Sequence, residues 1–453
     1  MTQFLTLLLR QGLVGLLALT ALSVQAQWNS IGSGFTGNNL KVYSLAVVDS
    51  NTIWAVPRNS QFSAATPFFT RSLDGGTTWD ARNYTAGADL TPIHIFALDA
   101  DVAWICLTDF NDRDGAGMLK TTDGGVAWTT LSGPFTQAGH NLKAVHFFDA
   151  NVGVAFGSTG DGAANQDNLR IYRSTDGGSS WAEVSGLPAT QAGEGTWTEA
   201  GNGGYDAVGD NLWFGSTTGR IWYSNDQGAT WQVADAGITG NNLSISSVAF
   251  RDASNGLATS ETGQVIMTTD GGATWAPTGT QPQAPPSTIG IEYVPGTSGT
   301  YVIWDGPFNS RDLSYTNDEG SSWARTNGNF SMDCVVFVDA SVGYGGSTVT
   351  SDQVGGVYRW QGQAPGVTGL FGQASAPAFE LFPNPAQNEL HLRWEQAKPR
   401  HIEVLDLQGR PVGLGQEVRG EAATLPLNDL VPGFYLLRSQ DSEGVQVQRF
   451  LVN

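Results

Sequence analysis

One eight-residue pattern, Ser/Thr-x-Asp-x-Gly-x-Thr/Ser-Trp, recurs six times in this chain of 453 residues. It appears as SLDGGTTW (72–79), TTDGGVAW (121–128), STDGGSSW (174–181), SNDQGATW (224–231), TTDGGATW (268–275) and TNDEGSSW (316–323). Its aspartates, Asp74, Asp123, Asp176, Asp226, Asp270 and Asp318, follow one another at intervals of 49, 53, 50, 44 and 48 residues. A period of this size marks units that cannot bury a core alone and must stack on their neighbours. Inside the octet each residue type has a local task. The Asp accepts backbone N–H bonds at a turn, the Gly tolerates positive φ, and the Trp drops a large ring into a neighbouring core. Ala127 stands where the other copies carry a hydroxyl. A residue present in every unit stabilises the unit, so the six aspartates are expected to be structural anchors. A catalytic or metal site needs one asymmetric constellation instead.

Around each octet lie further strand-like runs, three before and one after. In the third unit these are 142–148, 152–156, 169–173 and 181–184. Four antiparallel strands in about 45–50 residues make a propeller blade. Composition agrees: 58 Gly, 15 Trp and only 14% charged residues suit short strands joined by tight turns. The expected fold is therefore all-β, with blades near 40–83, 91–133, 142–186, 196–237, 243–279 and 287–328. A further unit at 331–361 has three strands and no octet. Gln27-Trp28-Asn29-Ser30-Ile31-Gly32 reads like Ala127-Trp128-Thr129-Thr130-Leu131-Ser132, the strand that follows an octet. The N-terminal strand is thus expected to complete the last blade, closing the ring and removing exposed edges. The count is seven blades, with six and eight also compatible. Aligned on Asp49, Asp99, Asp149, Asp252 and Asp339, the innermost strands put Ser44, His94, Ala144, Ser247 and Cys334 at one level. Cys106 then belongs to blade two and Cys334 to blade seven, too far apart for a disulfide.

The octets resemble Asp-box (BNR-like) repeats, found in β-propellers of the sialidase, sortilin-type receptor and photosystem II assembly-factor-like groups. The resemblance implies the fold. A photosynthetic role is not carried over, because the chain's ends carry a different address.

Residues 1–26 hold one charge, Arg10, an apolar or small-residue run from 12 to 24, and Val24-Gln25-Ala26 before Gln27. This is the pattern of a secretory signal peptide. No later run approaches it in apolar length, so no transmembrane span is expected in the mature chain. Residues 362–378 are Gly, Pro, Ala and Gln-rich without charge, a linker composition. From 379 to 453 a second texture of strand-like runs reads as a small β-sandwich. It resembles the type A C-terminal sorting domain of type IX secretion cargo. The matching residues are Pro383, Asn384 and Pro385, then Asp406 with Gly409, Gly433 with Tyr435, and Arg449 near the end. That resemblance implies recognition by the type IX machinery and a secreted or cell-surface location.

Net charge is −20, from 22 Lys and Arg against 42 Asp and Glu. Nucleic acid and anionic membranes need a basic footprint, so neither is an expected partner. Sialidase-like chemistry would need an arginine triad, which cannot be assembled from Arg71, Arg173, Arg220 and Arg359 at the third strands. Glycoside hydrolysis needs two carboxyls about 5–9.5 Å apart; the carboxylates near inner strands are Glu194, Glu199, Asp206, Glu292 and Asp305, of which Glu199 and Glu292 are the catalytic candidates. His94 and His146 lie in inner strands without a third histidine, which points to packing or channel lining. No cofactor is required by any motif. Two acidic loops, 109–115 and 161–168, could hold Ca²⁺ through Asp112, Asp114, Asp161 and Asp167. The leading expectation is a non-enzymatic module that binds an extracellular glycan, peptide or protein. The alternative is a glycoside hydrolase, sialidase-like or polysaccharide-degrading.

Overall fold

The computed structural model describes residues 27–362 and 379–452 apart from segments 37–38, 60–64, 85–89, 110–116, 136–139, 160–167, 197–201, 203, 241, 283–287, 306–312, 326–331, 350–354, 383–385, 387, 395–396, 406–411, 413–414, 428–429, 431–432 and 442–443. The chain divides into two compact units, Met1–Val367 and Thr368–Asn453. The leader, the linker from 363 and the acidic loop residues Asp112, Asp114, Asp161 and Asp167 lie outside the described residues, as do Glu199, Pro383, Asn384, Pro385, Asp406 and Gly409.

In the first unit the described strands form five antiparallel sheets of four and one of eight, the eight being two sets of four joined where Lys41 pairs with Thr348. Six of the seven sets run in chain order, from Leu40–Val47 through Asp80–Asn83 in blade one to Thr288–Tyr293 through Ala324–Arg325 in blade six. The last set joins Cys334–Phe337, Gly343–Val349 and Gly355–Gln361 to the N-terminal strand Gln27–Gly32. There Trp28 stands opposite Trp360, and Gln27 opposite Gln361. Trp28 does what its sequence context suggested. It packs with Trp304, Val302 and Leu313 of the preceding blade and with Phe337 and Trp360 of its own.

Seven buried apolar clusters lie between neighbouring blades. One joins blades seven and one through Val42, Ile53, Cys334 and Tyr344. Others join one to two, two to three, three to four, four to five, five to six and six to seven. The core is therefore a ring of seams rather than one central mass, which is how stacked units bury faces that none could bury alone. Cys106 and Cys334 sit in this core as free thiols.

The octets are the turns between third and fourth strands, on the outer side of each blade. In the third, Asp176 Oδ1 accepts the amide of Ser180 at 2.9 Å and the hydroxyl of Ser174 at 2.8 Å, while Oδ2 accepts the Ser180 hydroxyl at 2.6 Å. The amide of Gly178 donates to Ser174 Oγ at 2.8 Å. The same set recurs around Asp74, Asp226, Asp270 and Asp318. Around Asp123 the hydroxyl bond is missing, because residue 127 is alanine, yet the Ala127 amide still donates at 2.9 Å. Gly76 takes φ +88°, and a Cβ there would lie 2.2 Å from Ile31 Cδ1. Only glycine fits that turn against the closing strand.

A second repeated device locks blade to blade. Trp54, Trp104 and Trp213 donate their indole N–H to the backbone oxygens of Asp99, Gly177 and Gly271 in the next blade. Tyr344 of blade seven donates to Ser50 O of blade one at 2.8 Å. Cations of the third strands join in: Arg71 lies over Trp54 and donates to Ala100 O, and Lys120 lies over Trp104 and donates to Gly177 O. Arg173 donates to Gln227 O at 2.9 Å. These arginines are thus rim clasps. Arg220 differs: with Trp222 it holds the buried Glu194.

The second unit is a β-sandwich. One sheet orders Phe379–Phe382, Glu389–Trp394 and Ala422–Pro426; the other orders Gln416–Val418, Arg400–Leu405, Gly433–Asp441 and Gly444–Val452. Both contribute to a single core that includes Leu392, Trp394, Ile402, Leu437, Phe450 and Tyr435. Gly433 opens a strand and Arg449 stands opposite Leu436. Among the described residues no helix is long and apolar enough to cross a membrane.

Candidate functional site: the channel lumen

Strand register defines one level around the ring. The innermost-strand residues opposite Trp54, Trp104, Val154, Trp213, Leu257, Val302 and Tyr344 are Ala46, Phe96, His146, Asp206, Ala249, Glu292 and Val336. Six of these seven are partly exposed, the exception being Ala249. Partial exposure on an innermost strand is exposure to the lumen, walled by protein on every side. At this level the repeat breaks. Blades one, five and seven carry small or β-branched residues, blades two and three carry rings, and blades four and six carry acids.

The acids are held by the free inner edges of the following blades. Phe250 N donates to Asp206 Oδ2 at 2.6 Å, and Ala207 N to Oδ1 at 2.7 Å. Phe337 N donates to Glu292 Oε1 at 3.4 Å. Burial pushes the Asp206 carboxyl up to about 7, against the pull of those two amides. Burial also pushes Glu292 well above the usual carboxylate range, and the charge of Asp206 adds to it. The two acids therefore sense each other past blade five.

Blades two, three and four contribute a cluster of rings. His146 lies 5.0 Å from Phe96, 4.7 Å from Phe148 and 5.8 Å from Tyr205, centroid to centroid. His94 of blade two lies 5.7 Å from Tyr205 of blade four, past blade three, so these rings meet inside the lumen. Tyr205 donates its hydroxyl to Val145 O at 3.2 Å. Burial lowers both histidines to about 3, with His146 adding to the effect on His94, so both are neutral at ordinary pH. Asn202, just before blade four, reaches across to blade one, where Leu45 N donates to its Oδ1 at 3.1 Å.

Of the residues singled out from sequence, Asp206 and Glu292 belong to this lumen, with His94 and His146. The octet aspartates do not: each serves its own turn, and the bonds from Ser180 hold Asp176 down at about 2. Asp206, Tyr205 and Asn202 carry no motif. Their signal was the irregular fourth unit, whose innermost strand is only Tyr205–Val208. Among the described residues no three His, Cys, Asp or Glu side chains are placed to hold a metal ion.

Residues 380–453 match the family model described as the secretion system C-terminal sorting domain. The chain thus carries a type IX sorting tail behind a β-propeller. No curated protein matches the chain. Among solved structures it is similar to YCF48 bound to D1 peptide, with 14% identity and a TM-score of 0.52 over 74% of this chain and 95% of that one. It is also similar to a fungal alcohol oxidase of the AA5 family in complex with copper, with 10% identity and a TM-score of 0.54 over 95% of this chain and 100% of that one. A virginiamycin B lyase from Staphylococcus aureus matches at 12% identity and a TM-score of 0.48, over 74% of this chain and 99% of that one. At such identities the likeness is one of fold.

Proposed function

We propose that this protein is a secreted or cell-surface propeller that binds an extracellular glycan, peptide or protein without turning it over. Residues 1–26 would serve as its export leader, and the sorting tail directs it to the cell surface or beyond. The observation that carries the binding reading is the break in the repeat at the lumen. The other repeated polar groups are spent on turns and clasps, whereas this one level differs from blade to blade and is partly exposed in six of the seven. A feature confined to a few blades is what a ligand site requires.

The coupled carboxyls Asp206 and Glu292 favour one second reading, glycoside hydrolysis. Hydrolysis needs one carboxyl ionised while the other holds its proton. Here burial raises both, and both accept bonds from backbone amides. The test is to screen the secreted chain on glycan and peptide arrays and, in parallel, on aryl glycosides and polymeric glycans. Saturable array binding without turnover supports the proposal. Robust hydrolysis abolished by Glu292→Gln or Asp206→Asn overturns it in favour of the hydrolase. Blank arrays without hydrolysis reject both readings.

A further inference from the structure

We infer that the lumen binds a primary ammonium group, such as a lysine side chain of an extracellular peptide or protein; this deepens the binding reading above and rests on it. Two acids face the lumen, and neither has an ion-pair partner among the described residues. The base nearest in the chain, Arg251, is engaged by Asp252 and Glu319 and donates to Ser298 O on the blade-six side. Two carboxyls without an ion-pair partner hold their protons while the site is empty, and an entering cation supplies the counter-charge that lets them ionise.

A second and independent observation comes from His94. It is 3% exposed, and its Nδ1 has no hydrogen-bond partner among the described residues. A buried, unpaired ring nitrogen costs free energy unless something pairs with it. The ring points past blade three towards Tyr205, into the lumen. Being neutral, it can accept a hydrogen bond in the tautomer that leaves Nδ1 bare. The hydroxyl of Tyr205 is already donated to Val145 O, and the amides of Phe250 and Phe337 to the acids.

The lumen therefore offers acceptors and ring faces: Asp206, Glu292 and His94 for N–H donors, and Phe96, Phe148 and Tyr205 for π contact. An alkylammonium complements both. It brings three donors and one positive charge, and aromatic faces attract it. A sugar would bring as many acceptors as donors and no charge to draw the two carboxyls into their ionised form.

The test uses the full secreted chain and Nα-acetyl-lysine-N-methylamide as probe, followed by calorimetry or by NMR of the histidine and aromatic resonances. The comparison ligand is the same compound acetylated at Nε, which keeps the stem and removes the charge. Methyl glycosides form a third arm. The expected result is saturable binding of the lysine probe, no binding of its acetylated form, and a loss of at least about tenfold in affinity with Glu292→Gln. Phe96→Leu, with matched melting behaviour, should weaken binding several-fold and serves if the glutamine variant does not fold. Equal binding of both lysine compounds overturns the inference, as does an unchanged affinity in both variants or no binding of the probe at millimolar concentration. Glycoside binding sensitive to Glu292→Gln also overturns it, while leaving the binding reading intact. Array binding indifferent to both variants separates the two in the same way, by placing the ligand elsewhere.

Discussion

Removing the N-terminal strand should open the ring, and Trp28 gives the scale. Its side chain is 4% exposed, 5.3 Å from Trp360 and 6.0 Å from Phe337 between ring centroids. A buried aromatic removes roughly 150–250 Å² from water, worth about 4–6 kcal/mol at 25 cal/mol per Å². Relaxation around the cavity brings the expected cost of Trp28→Ala to about 3–5 kcal/mol. No hydrogen bond within the described residues is lost, since Nε1 has no partner among them. Deleting residues 27–34 should cost more. It also removes the ladder to Gly355–Gln361, uncovers Trp360, and leaves two open edges where the ring had closed. Against a typical total of about 5–15 kcal/mol, the deletion should abolish a cooperative transition or send the protein into strand-mediated aggregates. The assay is urea denaturation by far-UV circular dichroism on the secreted chain, with Leu73→Ala, at a site 51% exposed, as the near-neutral control. An unchanged midpoint in the deletion, or a Trp28→Ala cost below about 1 kcal/mol, would refute the reasoning from burial to closure.

Other perturbations separate the remaining devices. Gly76→Ala should cost about 2 kcal/mol or more by thermal or urea melting, since it combines a left-handed backbone with a clash against Ile31. Ala127→Thr should restore the missing octet bond and raise the melting temperature by roughly 1 °C. Trp104→Phe should keep the stacked contact with Phe147 but lose the bond to Gly177 O, at about 1 kcal/mol. The lumen groups should give opposite pH signatures. Asp206 holds its proton longer when folded, about 7 against 3.8, so its contribution is fully present at low pH and lost as pH rises towards 7. His94 is depressed to about 3 from 6.5, so its contribution is lost as pH falls through that window. Melts of Asp206→Asn and His94→Gln from pH 3 to 8 should each flatten one of these trends.

What the sequence made legible was whatever is local or repeated. The octet closes its bonds within eight residues, so its chemistry can be read without knowing the fold. Trp28 was legible because it imitates Trp128, and the level of Ser44, His94, Ala144, Ser247 and Cys334 because five aspartates mark the same turn. Register places these five opposite Val56, Cys106, Phe156, Thr259 and Gly346. The structure gives these turn aspartates a task of their own: Asp99 Oδ1 accepts the amides of Asp101 and Val102, both at 2.7 Å. The clasps were not legible, because a tryptophan that donates to a backbone oxygen one blade away leaves no mark on the residue that accepts. Asp206 was legible as a carboxylate near an inner strand, but its level was not: blades four and six both lack the aspartate on which the other five align, so no alignment could bring Asp206 and Glu292 level.

The same contrast bears on where chemistry can arise in such a ring. An octet carboxylate is saturated by its own turn, and any change there is paid in stability. The lumen level has no such common duty. Ala46, Ala249 and Val336 make no side-chain hydrogen bond there, so substitutions at that level are free to differ from blade to blade. Asp206 and Glu292 are tied in by backbone amides, those of Phe250 in blade five and Phe337 in blade seven, with that of Ala207 beside Asp206. These acids are therefore additions to a frame that closes without them. Replacing either should alter ligand affinity and pH response far more than it alters the fold, whereas replacing an octet aspartate should do the reverse.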